Sequence, residues 1–142
     1  MASAETIAIL NRLVTIHRCS LASYMKFVRP WSGESNGHIL ETLAAITEDH
    51  DQTAHRIASF VLEQGGILAM GDFPMEFPGY HDVSLSFLLD QLIARQVSDM
   101  DANKTCVEDL HMTPMAKALA EEALGESKAH LELLEELKQP VG

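Results

Sequence analysis

An all-α chain, folded as a bundle of four long helices around one core, is the architecture this sequence predicts. Three observations carry that expectation. Apolar residues recur at alternating steps of three and four over four long stretches, the mark of a single helical face. The five Pro and eight Gly gather between those stretches and leave them uninterrupted. The breaks fall in the order short, long, short, which makes a hairpin, a crossover between helices two and three, and a second hairpin. A length of 142 residues suits one domain over 1–142, large enough to bury a sizeable core.

Helix one begins at Ser3, a residue type that caps free N–H groups, and carries Ile7, Leu10, Val14, His17, Leu21, Tyr24 and Val28 on one face. Pro30, Trp31, Ser32 and Gly33 end it. A polar loop through Asn36 and Gly37 leads to helix two, whose inner face holds Leu43, Ile46, Thr47, His50, Ala54, Ile57 and Val61; Gly65-Gly66 stops it.

The stretch from Gly65 to His81 contains Gly71, Pro74 and Pro78 beside Ile67, Leu68, Met70, Phe73, Met75 and Phe77. It is too long for a tight turn. Roughly 17 extended residues reach about 55 Å, more than the roughly 42 Å of a helix of about 28 residues. This stretch is therefore a crossover running the height of the bundle, with its apolar residues against the helices.

Asp82 or Ser84 caps helix three, which turns Leu85, Leu88, Leu89, Leu92, Gln96, Val97, Met100 and Val107 inward. Thr113-Pro114 is a restart signal, a cap followed by Pro at the first helical position. Helix four runs to about Lys138 with Leu119, Ala123, Glu126, His130, Leu133 and Leu137 inside.

Ten basic against 21 acidic residues give a net charge of −11, which repels phosphate backbones and anionic lipid. Nucleic acid and membrane are excluded as partners on that ground. Cys19 and Cys106 form no spaced motif and read as reduced thiols packed as small hydrophobes. With no leader pattern at the start and no apolar stretch of membrane-spanning length, the expected compartment is the cytoplasm. Neither a phosphate-binding glycine loop nor a nucleophile motif occurs.

The residues that interrupt the apolar stripes are the chemically informative ones: His17, His50, Gln96, and Glu126 with His130. Each lies near the midpoint of its helix, and midpoints of antiparallel helices share one height. Burying such groups without partners costs roughly 1–3 kcal/mol each, so the layer is paired, hydrated or bound to something. Glu126 and His130, four apart, stand one above the other. Neutral imidazoles with a carboxylate suit zinc, iron or copper. A metal-free hydrogen-bonded layer that sets helix register is equally open at this point. Tyr24, two turns from His17 on the same face, reads as a core aromatic; Glu48 and Asp49 read as solvated.

Three stretches carry a family resemblance. They are Leu10-Asn11-Arg12-Leu13-Val14 continuing to Ala22-Ser23-Tyr24, Leu62-Glu63-Gln64-Gly65-Gly66, and His130-Leu131-Glu132-Leu133-Leu134-Glu135. With them the chain resembles the ferritin-like superfamily, bacterioferritin and rubrerythrin relatives in particular. The resemblance implies a ferritin-like bundle and a di-iron site made of a Glu from helices one and three and a Glu-x-x-His from helices two and four. The helix-one slot falls on His17. Helix two offers Thr47-Glu48-Asp49-His50 and helix four Ser127-Lys128-Ala129-His130, each with a hydroxyl where the family has Glu. On helix three the nearest polar residues are Gln96 and Asp99. Both histidines match and none of the four glutamates does.

Ferrous oxidation at a paired site needs anionic bridging oxygens, so the expectation becomes one ion, iron or zinc. Its ligands would be His17, His50, Glu126 and His130, with Gln96, Asp99 and Tyr24 in support. Asp49 with Gln52 is the alternative pair on helix two. The rival expectation is a metal-free ferritin-like protein acting through assembly or partner binding, and haem in the bundle ranks third. The apolar crossover with Trp31 offers a contact surface for a homo-oligomer.

Overall fold

The structure is a computed structural model that describes residues 2–25, 37–69, 71–75, 77 and 85–138. Five helices make up the described fold: α1 (Ala4–Arg18), α2 (Leu21–Met25), α3 (Gly37–Glu63), α4 (Leu85–Asp109) and α5 (Pro114–Lys138). Among the described residues there is no strand, and no helix is long and apolar enough to cross a membrane. The principal contacts run from α1 to α3, α3 to α5, α5 to α4 and α4 back to α1.

Most boundaries follow from local chemistry. The Ser3 hydroxyl accepts from the Thr6 N–H at 3.1 Å and caps α1. Pro114 opens α5 as expected of a residue with no N–H to leave unpaired. At the end of α3, Gly65 takes φ 76°, the left-handed region that glycine enters at least cost. The Gly65 N–H then reaches Leu62 O and the Gly66 N–H reaches Val61 O, a Schellman ending that satisfies two orphan carbonyls.

The first helix is not continuous. It stops at Arg18 and resumes at Leu21. Ser20 causes the break: its hydroxyl accepts the Ser23 N–H at 3.1 Å and so caps α2, a local bond that competes with the helical ladder. The end of the helix near Pro30 to Gly33, Trp31, Met70, and the Asp82 or Ser84 cap lie outside the described residues.

The described start of the crossover, residues 67–69 and 71, runs beside α1 from Asn11 to its C-cap at Cys19. Asn11, Thr15 and Cys19, each one turn further along α1, hold it in succession. The Asn11 amide donates to Ile67 O at 3.0 Å and its oxygen accepts from the Ala69 N–H at 3.1 Å. The Thr15 hydroxyl accepts from the Gly71 N–H at 3.0 Å, and the Cys19 thiol donates to Gly71 O at 3.2 Å. Further on, Phe73 and Phe77 pack edgewise and tilted against Tyr24. Phe77 is buried, whereas Ile67 and Met75 face solvent at 86% and 95% exposure, so only part of the crossover's apolar surface lies against the helices.

Two apolar clusters form the core. One gathers Leu10, Leu13, Val14, Ile57, Val61 and Leu110 with Ala116, Ala120 and Ala123; the other gathers Leu21, Met25, Leu43, Ile46, Phe77, Leu88, Leu92 and Leu134. Between them lies a buried polar band.

Two inner faces differ from expectation. On α4, Val97 is exposed while Asn103 and Cys106 are fully buried. On α5 the buried stripe is Ala116, Ala120, Ala123, Ser127, His130 and Leu134, so Leu133 turns outward and Glu126 is only half-buried. The reason is size. Small side chains let α5 approach α4 closely, and the larger Leu119 and Leu137 sit at the flanks.

Two glycines test this packing in opposite directions. A Cβ at Gly71 would lie 2.5 Å from Thr15 Cγ2, whereas nothing lies within 4 Å of one at Gly125, inside α5. Gly71→Ala lowers stability by about 1–3 kcal/mol, and Gly125→Ala raises it by about 0.5–1 kcal/mol. Urea unfolding of the two variants checks both signs.

Candidate functional site

The polar band is built from three helices that meet at one height and a fourth that closes it. His17 ends the inner stripe of α1, His50 lies midway along α3, His130 lies on α5, and Asn103 projects from α4. All four are buried to within 2% of complete. The three imidazoles form a row: the His17 and His50 ring centres are 5.2 Å apart, those of His50 and His130 4.9 Å.

Hydrogen-bond logic assigns the tautomers, starting from Asn103. Its amide nitrogen donates to the Ala120 carbonyl at 3.0 Å, and a carbonyl can only accept. The Asn103 oxygen therefore faces His17 Nε2, 2.8 Å away, and that nitrogen must carry the proton. In the neutral ring, His17 Nδ1 is then a bare lone pair. It lies 3.1 Å from His50 Nδ1, which must be the donor. That leaves His50 Nε2 bare, and it has no partner. On the far side His130 Nε2 donates to Asp49 Oδ2 at 3.0 Å, so in the neutral ring His130 Nδ1 is bare as well, again without a partner. Two adjacent buried imidazoles thus each hold one ring nitrogen without a partner.

Burial disfavours charge on the first two rings of the row. It pushes His17 below the usual histidine range, with the Asn103 bond opposing, and pushes His50 further down, helped by the neighbouring His17 and His130 rings.

The other expected site residues are placed as follows. Glu126 does not enter the row: it accepts from the Thr53 hydroxyl and pairs with Arg56 at 3.0 Å, one turn along the contact between α3 and α5. Gln96 is buried in the band and donates to Ser127 O at 2.8 Å, joining α4 to α5. Asp99 is partly buried, and burial raises its carboxyl to about 7 despite Arg95. Tyr24 belongs to the aromatic cluster with Phe73 and Phe77. Of the alternative pair on α3, Asp49 supports His130 from the rim, and Gln52 bonds to Glu48 at the surface at 3.5 Å. Among the described residues, no three His, Cys, Asp or Glu side chains form a ready metal cage.

No protein-family model matches this chain, and no curated protein is found to be similar to it.

Asn103 and Asp49 are the residues that sequence reading missed in these roles. For Asn103 a signal existed: it follows Gln96 by seven residues, two turns along the same face. For Asp49 none did, since it is half-exposed and reads as solvated.

Removing the anchor exposes its importance. Asn103→Leu leaves the buried His17 N–H without an acceptor and costs about 1–3 kcal/mol, measurable by chemical denaturation. Asp99 gives a pH signature. Its folded value of about 7 exceeds the ordinary 3.8. Its contribution to stability is therefore complete below the ordinary value and is lost as pH rises through the folded one. Asp99→Asn melts above wild type at pH 8, and the gap closes toward pH 4; a melting series across that range reads it.

Proposed function

We propose that this chain is a ferritin-like four-helix bundle that binds a single transition-metal ion at the pair His50 and His130. Support for the bundle comes from the closed ring of contacts among α1, α3, α5 and α4 and from residues 67–69 and 71, which are tied to α1 at Asn11 and Thr15. The observation that carries the metal reading is the pair of buried, unpartnered ring nitrogens, His50 Nε2 and His130 Nδ1. Each ring donates its other N–H to a partner, Asp49 for His130 and His17 for His50, as ligating histidines do. Imidazole donors favour zinc, iron, copper or nickel over magnesium or calcium.

The family's di-iron centre does not fit these residues. The band is built of His, Asn, Gln, Ser and Thr, and its nearest carboxylates are Asp49 at the rim and Glu126 one turn away. Two close cations need bridging anions that this band lacks. A single ion needs none. His17, expected as a ligand, serves here as an orienting partner, with both ring nitrogens engaged. Exposed Ile67 and Met75 on the crossover, with Leu62, Met112 and Met115, supply apolar surface for a homo-oligomer.

A second reading is favoured by the lack of a three-donor cage among the described residues. In it the two bare nitrogens accept from a trapped water, and the layer sets helix register without metal.

Metal content by plasma mass spectrometry, after incubation with zinc or ferrous iron and desalting, separates the two. The metal reading predicts about one ion per chain, abolished by His50→Gln or His130→Gln and weakened about 10- to 100-fold by His17→Gln. Wild type that stays empty, with a melting temperature no chelator moves, selects the hydrogen-bonded layer.

A further inference from the structure

We infer that Glu126 is the anionic third ligand of this centre, held off it in the metal-free protein by Arg56. The inference rests on the metal-binding reading. Its basis is the register between α3 and α5, which run antiparallel with His50 beside His130, Thr53 beside Glu126 and Arg56 beside Glu122. These are three successive rungs of one seam. Glu126 is one rung from the bare nitrogens and one helical turn from His130, a spacing that places both side chains on the same face.

The present bonds of Glu126 are all to that seam. One carboxylate oxygen accepts from Thr53, and the other pairs with Arg56 Nη2 at 3.0 Å. The same guanidinium nitrogen lies 3.4 Å from Thr53 Oγ1, and Arg56 Nη1 binds Glu122. Arg56 therefore has two carboxylates, and releasing Glu126 leaves it paired with Glu122. Arg56 is half-exposed, and an ion pair of that kind contributes little to stability. A shallow crevice beside it is lined by Thr53, Arg56, Ile57, Leu119, Glu122 and Ala123.

Charge supplies the driving force for the exchange. His50 and His130 offer imidazole nitrogens alone, and a buried divalent ion with only uncharged ligands is costly. A carboxylate that swings one turn along the seam removes much of that cost. Arg56 thus acts as a latch: it occupies the carboxylate when no cation competes and surrenders it when one arrives.

Cobalt(II) titration of the full chain, followed by calorimetry and by visible absorption, tests this with four proteins. Glu126→Gln is expected to weaken cobalt affinity at least tenfold and to alter the visible band, since an oxygen anion leaves the coordination sphere. Arg56→Gln is expected to tighten binding about three- to tenfold, and the double variant to show no such gain. The arginine variant keeps Glu126, so tightening is not a consequence of lost structure, and metal-free melting curves of each protein control for folding. Wild-type binding that depends on His50 and His130 but is unchanged in Glu126→Gln overturns the third ligand. Unchanged affinity in Arg56→Gln overturns the latch. A wild type that takes up no cobalt overturns the metal reading itself, and this inference with it.

Discussion

The orientation of one buried carboxamide governs the middle of this molecule. Asn103 donates to the Ala120 carbonyl, and that bond permits only one placement of its oxygen. From there the choice passes along the row: His17 is protonated at Nε2, His50 at Nδ1, and the unshared pair of His50 is left at Nε2. Each step is imposed by its predecessor because every group is sealed from water, which otherwise supplies an alternative donor or acceptor. Asp49 fixes the opposite end through His130. What remains at the centre is a pair of imidazoles, each with one nitrogen committed and one without a partner. A band of this kind does not stabilise the fold as apolar residues of the same volume would. Its benefit is specificity, because slipping any helix by one turn would leave several buried groups unpaired at once.

The rest of the fold keeps that band in register. Leu10, Leu13 and Val14 below and Leu21, Met25 and Leu134 above bracket it with dry packing. The break after Arg18 lies immediately beyond His17, and α2 after it is tied back to the band: the Ser23 hydroxyl donates to His17 O at 3.5 Å, and the Thr47 hydroxyl donates to Ala22 O at 3.2 Å. The crossover then ties α1 down through Asn11, Thr15 and Cys19. A polar ladder on the outward side of α1 thus complements the apolar stripe on its inward side, and His17 is held from both.

Much of this was legible in the sequence, for identifiable reasons. His17, His50 and His130 each interrupt an apolar stripe near a helix midpoint, so their meeting follows from antiparallel packing, and the structure brings the three rings together. The helix stops at Gly65 and Pro114 follow from backbone constraints that act locally. Glu126 was harder to place. Half of the inner face of α5 is alanine, which carries almost no hydrophobic contrast, so a one-residue shift of phase exchanges Glu126 for Ser127 without violating the pattern. Asn103 was hidden by Val97, whose apolar character drew the stripe of α4 to the wrong side. The break at Ser20 was illegible because a serine within a helical pattern reads equally as a solvent-facing residue and as a cap. Side-chain partners such as Arg56 with Glu122 and Glu126 depend on the mutual register of two helices, which neither segment encodes alone.

Every functional reading of this layer, whether the centre takes a cation or a water, depends on where three protons reside. Nitrogen-15 magnetic resonance of histidine-labelled protein at neutral pH measures that directly, because protonated and bare ring nitrogens resonate far apart. The expected spectrum shows His17 and His130 protonated at Nε2 and His50 protonated at Nδ1, with bare nitrogens at His50 Nε2 and His130 Nδ1. A proton on His50 Nε2 would contradict the chain of donors that begins at Asn103, and with it the pair of bare nitrogens at the centre of the fold.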